Sequence, residues 1–276
     1  MWTTYMTYTN EYLATVLDEP RDFQQLYSFP NTPLLSRVDL RPFMTPVVYQ
    51  HDMNTCCANA FAGIYEYIIK RTTNYHVDVS RLFINYNGQI RSQYGYKMKD
   101  LGVSQRDIAL GIRDHGVVEE YRWPYSMQFL NRQPPHDAYE EAMNNTVILL
   151  RVPIDIFAIE KCLNHGTVVP IDIVLDNDTA TNIQMNNGFL VEHLLDDGYI
   201  DKNAFHTVVI VGYDRPAQHF IVRNSWGENW GDRGYFYMPY NFIYNHHRVN
   251  YEDYLWTILQ IIPRSKNLPS VLQLVV

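Results

Sequence analysis

Four polar residues in this sequence have types and an order that could support nucleophilic catalysis by sulfur. Cys56 stands where a polar, turn-prone segment meets a long apolar stretch, and Gln50 precedes it by six positions. His206 begins a strongly apolar segment, and Asn224 follows the next one. Such a reaction needs a nucleophile, a base that takes its proton, a group that orients the base, and donors for the developing oxyanion. Each requirement has a candidate here.

The apolar stretch after Cys56 predicts a buried helix with the thiol in its first turn. Residues 58–69 carry apolar side chains nearly all round a helical wheel, which is typical of a helix at the centre of a protein. Asn54 or Thr55 can cap this helix, since their side-chain oxygens can accept the free N–H groups of a first turn. The partial positive charge of the helix N-terminus favours a thiolate, so this position could activate the sulfur.

Each of these residues also has a purely structural interpretation. A free cysteine is often an inert residue of the core. A histidine at the start of an apolar strand is more often buried and hydrogen-bonded, and an asparagine after a strand usually serves a turn. Taken singly, none of the three establishes a catalytic site.

Together, however, these residues resemble the papain-like cysteine proteases over about residues 38–240. The resemblance rests on Gln50 with Cys56, on His206 followed by an apolar strand and Gly212-Tyr213-Asp214, and on the block Asn224-Ser225-Trp226-Gly227…Trp230-Gly231…Gly234-Tyr235. This block is highly specific. The stretches Gly116-Val117, Trp123-Pro124-Tyr125 and Pro134-Pro135 look more like the compact bacterial and viral branch than the secreted cathepsins.

The resemblance implies a role for each residue. Cys56 would be the nucleophile, held as a thiolate by imidazolium His206, and Asn224 would fix the orientation of the histidine ring. The side chain of Gln50 and the backbone N–H of Cys56 would form the oxyanion hole. Trp226 would shield the hydrogen bond between Asn224 and His206 from water, which strengthens that bond.

Other positions depart from the family pattern or are weaker candidates. Gly102 could pair through its backbone with an extended peptide substrate, although an ordinary turn explains it equally well. Phe205 replaces the glycine common before the histidine, and this bulkier residue is expected to narrow the cleft. Cys57 takes the usual aromatic position, which raises the question whether it is the nucleophile instead; the spacing from Gln50 favours Cys56.

Helical patterns dominate the first half of the chain and strand patterns the second, which predicts an α+β fold with two lobes and a cleft between them. Helices are predicted over 11–27 (broken at Pro20), 58–69, 81–91, 105–115 between a Ser104 cap and Gly116, 138–144 and 154–164. Strands are predicted over 147–152, 167–175, 207–213, 220–223, 234–238 and 255–262. The resemblance implies a papain-like fold, with a helical N-terminal lobe around a central buried helix and a C-terminal lobe like an antiparallel β-barrel.

These patterns divide the chain into three parts. Residues 1–36 are expected to be an arm, either a short pro-segment or an extension that docks over the cleft of the same chain. Residues 37–262 are expected to be the catalytic domain, mainly helical over 37–145 and mainly β over 146–262. Residues 263–276 are the tail.

Composition excludes several classes of partner. The chain has 276 residues, a net charge of −8 and a pI of about 5.6, and no basic stretch dense enough for nucleic acid. No apolar run reaches the ~18 residues of a membrane helix, and the first residues lack the features of a secretory signal. Three cysteines cannot form a disulfide framework, which indicates a reducing, cytoplasmic compartment or packaging in a virus particle. We expect neither a metal nor another cofactor.

The leading interpretation is a cysteine-type peptidase that cleaves polypeptides through a covalent acyl-enzyme. The alternative is a catalytically silent protein that keeps the fold as a scaffold or binding unit, such as a minor component of a virus particle. A related acyl transfer, such as deubiquitination or transglutamination, would use the same groups.

Overall fold

A computed structural model describes residues 21–22, 32–92, 99–191, 205–250 and 254–263. Within these ranges the helices are α1 (Cys56–Thr73), α2 (Arg81–Arg91), α3 (Gln105–His115), α4 (His136–Ala142), α5 (Ile156–Asn164) and α6 (Asn177–Met185). The strands are β1 (Arg21–Asp22), β2 (Arg37–Asp39), β3 (Asn145–Val152), β4 (Val169–Val174), β5 (Phe205–Asp214), β6 (His219–Arg223), β7 (Tyr235–Pro239) and β8 (Leu255–Pro263). Short 3₁₀ helices lie at Arg41–Phe43 and Tyr240–Tyr244.

Helix α1 is the central buried helix that its apolar pattern predicts. It packs against α2, β5 and β8, and residues such as Phe61, Ile64 and Tyr65 are fully buried. It begins at Cys56, so the thiol lies in its first turn as predicted, and it ends where Asn74, in the left-handed conformation with φ 62°, donates its N–H to the carbonyl of Lys70. Because α1 is enclosed by helices on one side and strands on the other, its N-terminus lies where the two lobes meet.

The predicted side-chain cap of α1 is wrong. Thr55 occupies the N-cap position, but its side chain accepts no hydrogen bond from the first turn. Its hydroxyl instead bonds the phenol of Tyr125 at 2.6 Å, and Asn54 binds Asp100 through both its backbone and its side chain. Tertiary partners therefore take the polar atoms that a local cap would have used.

A buried polar network joins α1 to the strand lobe. The carboxylate of Glu66 accepts hydrogen bonds from the Thr45 hydroxyl at 2.7 Å and the Val79 N–H at 3.1 Å. The guanidinium of Arg223, at the end of β6, donates to the carbonyls of Thr45 and Pro46. Both charged side chains are about 5% exposed. The network thus connects the helix that begins at Cys56 to the strand that precedes Asn224.

The strands form two sheets, as expected for the β lobe. In the larger sheet, β2, β5, β6 and β7 follow one another in antiparallel order and β4 also pairs with β5. In the smaller sheet, β3 pairs antiparallel with β8 and parallel with β1. Strand β5 therefore has three partners, and its register places His206 opposite Ile173 and Thr207 opposite Asp172.

The predicted elements agree with the structure wherever the local signal is strong. Helix α2 has the predicted limits, and Ser104 caps α3 by accepting the N–H of Asp107 at 3.1 Å. Gly116 ends α3 with a positive φ of 74°, although its ψ of −160° departs from the left-handed helix. Helix α6 was not predicted, because its Asn- and Thr-rich sequence has weak helix propensity. Its start is marked by Asp176, whose side chain accepts the N–H of Thr179.

The N-terminal arm is described only in part. Arg21 and Asp22 are extended and pair with Leu150 and Arg151 of β3, so a helix over 11–27 is wrong at these two residues. Pairing with a strand edge satisfies backbone groups that a helix would have used internally. The rest of that helix, the docking of the arm over the cleft and the tail after residue 263 lie outside the described residues.

No helix in the described ranges is long and apolar enough to cross a membrane. The three cysteines, Cys56, Cys57 and Cys162, all lie within those ranges, and none of them forms a disulfide. The compartment inferred from the cysteine count stays a prediction.

The glycine that ends α3 provides a test of the fold. A Cβ at Gly116 would lie 1.8 Å from the carbonyl oxygen of Ala142, in a backbone conformation that side chains rarely adopt. We expect Gly116→Ala to lower the free energy of unfolding by about 3 kcal/mol or more, from backbone strain and overpacking. Gly102→Ala is the matched control, because a Cβ there meets no atom within 4 Å; it should change stability by less than about 0.5 kcal/mol. Urea unfolding measures both, and equal midpoints would contradict the described packing.

Candidate active site

Three elements bring the predicted residues to one place. Cys56 is the first residue of α1, His206 lies at the start of β5, and Asn224 directly follows β6. Strands β5 and β6 are antiparallel neighbours, and α1 packs against β5. Gln50 lies in the loop before α1, where its N–H donates to the carbonyl of Ser225 at 2.9 Å. The N-terminus of α1 and the strands β5 and β6 thus bring residues that are far apart in the sequence close together.

The hydrogen bond between His206 and Asn224 defines the state of the imidazole. The Nε2 of His206 lies 2.7 Å from the Oδ1 of Asn224, and the backbone N–H of Ser225 donates to the same oxygen at 2.8 Å. A backbone N–H can only donate, so the shared atom must be the amide oxygen, and Nε2 must carry the proton. The second ring nitrogen, Nδ1, is then the one with a free lone pair.

Trp226 lies beside this bond, as expected for a shielding residue. Its ring centroid is 5.0 Å from that of His206, and Trp230 packs edge-on against it at 5.2 Å. His206 and Asn224 are both buried. In such a low-dielectric setting their hydrogen bond is electrostatically stronger than it would be in water.

The amide of Gln50 is held from both ends. Its Oε1 accepts the hydroxyl of Ser225 at 2.6 Å, and its Nε2 donates to the carbonyl of Met53 at 3.1 Å. The Nε2 of Gln50 therefore faces the loop that leads into α1. Only one of its two hydrogens is bonded to the carbonyl of Met53. This orientation suits a donor to an oxyanion formed near Cys56.

Tyr125 is a positioning residue that the sequence reasoning missed. Its hydroxyl donates to the backbone carbonyl of Gln50 at 2.8 Å and also bonds the hydroxyl of Thr55. The guanidinium of Arg81 lies 3.7 Å above its ring centroid. The Trp123-Pro124-Tyr125 motif was visible in the sequence, but nothing local showed that it braces the loop between Gln50 and Cys56. Ser225 was missed in the same way, although it stands next to Asn224.

The thiol of Cys56 has a different hydrogen-bond partner from the one expected. Its Sγ donates to the hydroxyl of Thr207 at 3.9 Å, and that hydroxyl donates to Asp172 Oδ1 at 2.7 Å. Within the described ranges, no hydrogen bond joins the sulfur to the ring of His206. The thiol donates to Thr207 and Thr207 donates to the carboxylate of Asp172, which can only accept. This arrangement therefore favours the protonated thiol.

The electrostatics of the site also favour neutral partners at rest. Burial raises the pKa of Cys56, and the charge of Asp172 raises it further. Hydrogen bonds with Thr207 and Cys57 lower the pKa and offset only part of this effect. Burial lowers the pKa of His206 to about 4, against the opposing effects of Asn224 and Asp172. These effects favour a neutral thiol and a neutral imidazole, whereas the helix terminus favours the thiolate. The resting thiolate–imidazolium pair stays a prediction.

The remaining candidates are placed as follows. Cys57 is 2% exposed and belongs to the core, whereas Cys56 is partly exposed, which favours Cys56 as the nucleophile. Phe205 is partly buried at the first position of β5. Gly102 is exposed, two residues after Asp100, whose carboxylate binds the N–H of Asn54 at 2.8 Å. Gly102 is therefore near the segment that leads into Cys56. No group of three or more His, Cys, Asp or Glu side chains in the described part could hold a metal ion.

Comparison with solved structures supports the architecture. The chain is similar to xylellain, a cysteine protease from Xylella fastidiosa, with 28% identity, a TM-score of 0.68, and coverage of 82% of this chain and 86% of that one. Digestive procathepsin L 3 from Tenebrio molitor shares the fold at 19% identity and a TM-score of 0.61, over 90% of this chain and 78% of that one. Together with the helical and strand lobes described above, these likenesses confirm the predicted two-lobed fold.

Sequence relatives point the same way. An uncharacterized peptidase C1-like protein of Acanthamoeba polyphaga mimivirus is 29% identical over 83% of this chain and 71% of its own length. Peptidase 1 of Dermatophagoides farinae is 29% identical over 73% of this chain, and the match spans 60% of that protein. The family described as papain family cysteine protease matches residues 35–254. The chain therefore belongs to the papain family of cysteine proteases.

Proposed function

We propose that this protein hydrolyses peptide bonds, with Cys56 as the nucleophile. The observation that carries the proposal is the hydrogen bond from His206 Nε2 to Asn224 Oδ1. This bond leaves the Nδ1 of His206 unprotonated. His206 is adjacent in sequence to Thr207, whose hydroxyl contacts the sulfur of Cys56. A base of this kind is what a buried, protonated thiol needs in order to react.

The first chemical step combines proton transfer with attack. The thiol turns from Thr207 to Nδ1 of His206 and gives up its proton as sulfur bonds to the carbonyl carbon of the substrate. The electron pair of the carbonyl moves to oxygen, where Gln50 Nε2 and the backbone N–H of Cys56 can donate to it. The N–H of Cys56 is suited to this role because the first N–H groups of a helix have no partner within the helix.

The second half of the cycle reverses the proton flow. His206 gives its proton to the leaving amine as the carbon–nitrogen bond breaks, which leaves a thioester on Cys56. His206 then takes a proton from water as the water oxygen bonds to the thioester carbon. The carbon–sulfur bond breaks, the acid leaves, and the proton on His206 returns to the sulfur of Cys56. Asn224 keeps the ring in one orientation through both halves, since its oxygen is itself held by the N–H of Ser225.

A neutral resting pair is compatible with this chemistry. Charging Cys56 or His206 alone is costly because both lie in a low-dielectric site. Proton transfer from one to the other creates both charges together, and each then stabilises its neighbour. Substrate binding, which displaces the thiol from Thr207, would favour this transfer.

The competing candidate is a catalytically silent scaffold. The observation that favours it is the hydrogen bond from the thiol to Thr207, with none to the ring of His206 among the described residues. A peptide carrying an electrophile separates the two functions. We expect it to label Cys56 faster than it labels a free thiol in solution; an equal rate supports the scaffold.

Replacing the two adjacent cysteines tests the nucleophile. We expect Cys56→Ala to lower peptide hydrolysis by at least about 10⁴-fold while leaving the circular dichroism spectrum and the urea midpoint intact. Cys57→Ala is the matched control: it removes the neighbouring sulfur from the core and should keep activity within about tenfold. Loss of activity in Cys57→Ala with full activity in Cys56→Ala would show that Cys57, and not Cys56, is the nucleophile.

The oxyanion donor can be tested separately from the nucleophile. We expect Gln50→Ala to lower kcat by about 100-fold with little change in KM, since the donor acts only on the charge that develops in the transition state. Alkylation of Cys56 by iodoacetamide forms no oxyanion, so its rate should change by less than about threefold. An equal loss in both reactions would mean that Gln50 merely supports the position of the thiol.

The lowered pKa of His206 predicts the acid limit of activity. The ring stays neutral until the pH approaches about 4, against 6.5 for an ordinary histidine, so kcat/KM should hold from neutral pH and fall only near pH 4. The unfolded chain binds this proton near 6.5, so the free energy of unfolding should also decrease as pH falls from 6.5 to 4. NMR titration of the ring, assigned with His206→Gln, measures the pKa directly. A midpoint near 6.5 would contradict the buried environment.

A further inference from the structure

Asp172 is a carboxylate close to the nucleophile that the mechanism above does not use. It lies on β4 directly opposite Thr207, the residue that follows His206 on β5. The hydroxyl of Thr207 donates to Asp172 at 2.7 Å and accepts the thiol of Cys56 at 3.9 Å. The carboxylate therefore stands no more than two hydrogen-bond lengths from the sulfur.

Asp172 has no cationic partner in the part of the chain that the structure describes. Among the described residues its carboxylate has the hydroxyl of Thr207 as its side-chain partner, and no Lys, Arg or His forms an ion pair with it. Its neighbour His206 is neutral above about pH 4. Glu120, by comparison, pairs with Arg81 at 3.5 Å. Asp172 is also partly exposed, so a ligand can reach it.

A partly exposed carboxylate with one neutral side-chain donor keeps acceptor positions open for a charged partner. A carboxylate can accept about four hydrogen bonds, and bonds to a guanidinium or ammonium are about twice as strong as neutral ones. The net charge of −8 on the whole chain also favours the approach of a cation. The position beside the sulfur means that this cation would belong to the molecule being cleaved.

We propose that Asp172 selects peptides with an arginine or lysine side chain close to the bond that Cys56 attacks. The inference rests on the proposed peptidase function and names its substrate class. Thr207 orients the carboxylate through its hydroxyl, and the register of β4 with β5 holds both residues beside the site. A purely structural role for Asp172, as an acceptor for Thr207, would give no preference for a charged substrate.

The test compares arginine with citrulline, which has nearly the same shape and no charge. Peptides carry one or the other at each of the two positions on either side of the cleaved bond. For the wild-type protein we expect kcat/KM to favour arginine about tenfold at one of these positions, as for a single charge-assisted bond. Asp172→Asn keeps an acceptor for Thr207 but removes the charge, and it should bring this ratio close to one.

Glu140→Gln is the matched control. It makes the same change from carboxylate to amide on α4, where Glu140 is exposed and pairs with His136 at 3.4 Å. It should leave the ratio as in the wild type. A ratio that is the same in Asp172→Asn and in the wild type overturns the proposal, as does a wild-type ratio of one at every position.

Binding measurements separate this inference from the peptidase function. If the wild-type protein hydrolyses none of the peptides, the peptidase proposal fails, and the same peptides are titrated by fluorescence anisotropy into Cys56→Ala with and without Asp172→Asn. Tighter binding of arginine than citrulline that disappears with Asp172→Asn supports the charge selection by itself. Equal affinities in both backgrounds overturn it.

Discussion

The geometry of the site depends on a buried carboxylate and a buried guanidinium at the junction of the lobes. Glu66 belongs to the helix that begins at Cys56, and Arg223 is the residue before Asn224. Both contact the segment of Thr45 and Pro46, which leads toward Gln50. Removing either side chain would leave buried groups of this segment without their hydrogen bonds, at a cost of about 1–3 kcal/mol for each unsatisfied group. The helix, the oxyanion loop and the asparagine are therefore fixed relative to one another by one network.

Burial favours the neutral forms of both Cys56 and His206. A helix N-terminus stabilises an anion by about 0.3–1 kcal/mol, and by about 2 kcal/mol at most. Burial lowers the pKa of His206 from 6.5 to about 4, and each pKa unit corresponds to about 1.4 kcal/mol. The positive end of α1 favours an anion and disfavours an imidazolium, so it does not offset this effect on His206. The enclosure that strengthens the bond between His206 and Asn224 is also what makes separate charges costly.

Strand β5 joins the proposed catalytic and selective groups. His206 and Thr207 are consecutive on it, so their side chains leave opposite faces of the strand near its start. Pairing with β6 places Asn224 near His206, and pairing with β4 places Asp172 opposite Thr207. One strand thereby links the base to its orienting amide and the nucleophile to a carboxylate. A shift of register by one residue would separate both pairs.

The sequence by itself determined the features that depend on neighbours along the chain. The apolar periodicity of α1, the limits of α2, the Ser104 cap and the Gly116 terminus of α3 are local, and so is the block that begins at Asn224 and carries the family resemblance. Helix α6 was not predicted, because its composition gives only a weak helix propensity.

Only the tertiary structure decided which groups contact the catalytic residues. Tyr125 meets Gln50 across 75 positions of sequence, and Thr207 meets Cys56 across 151. Strand register and helix packing create these contacts, and no periodicity in the chain records them. The protonation of Cys56 and His206 likewise depends on burial and on Asp172, and both arise only when the lobes close around the helix end.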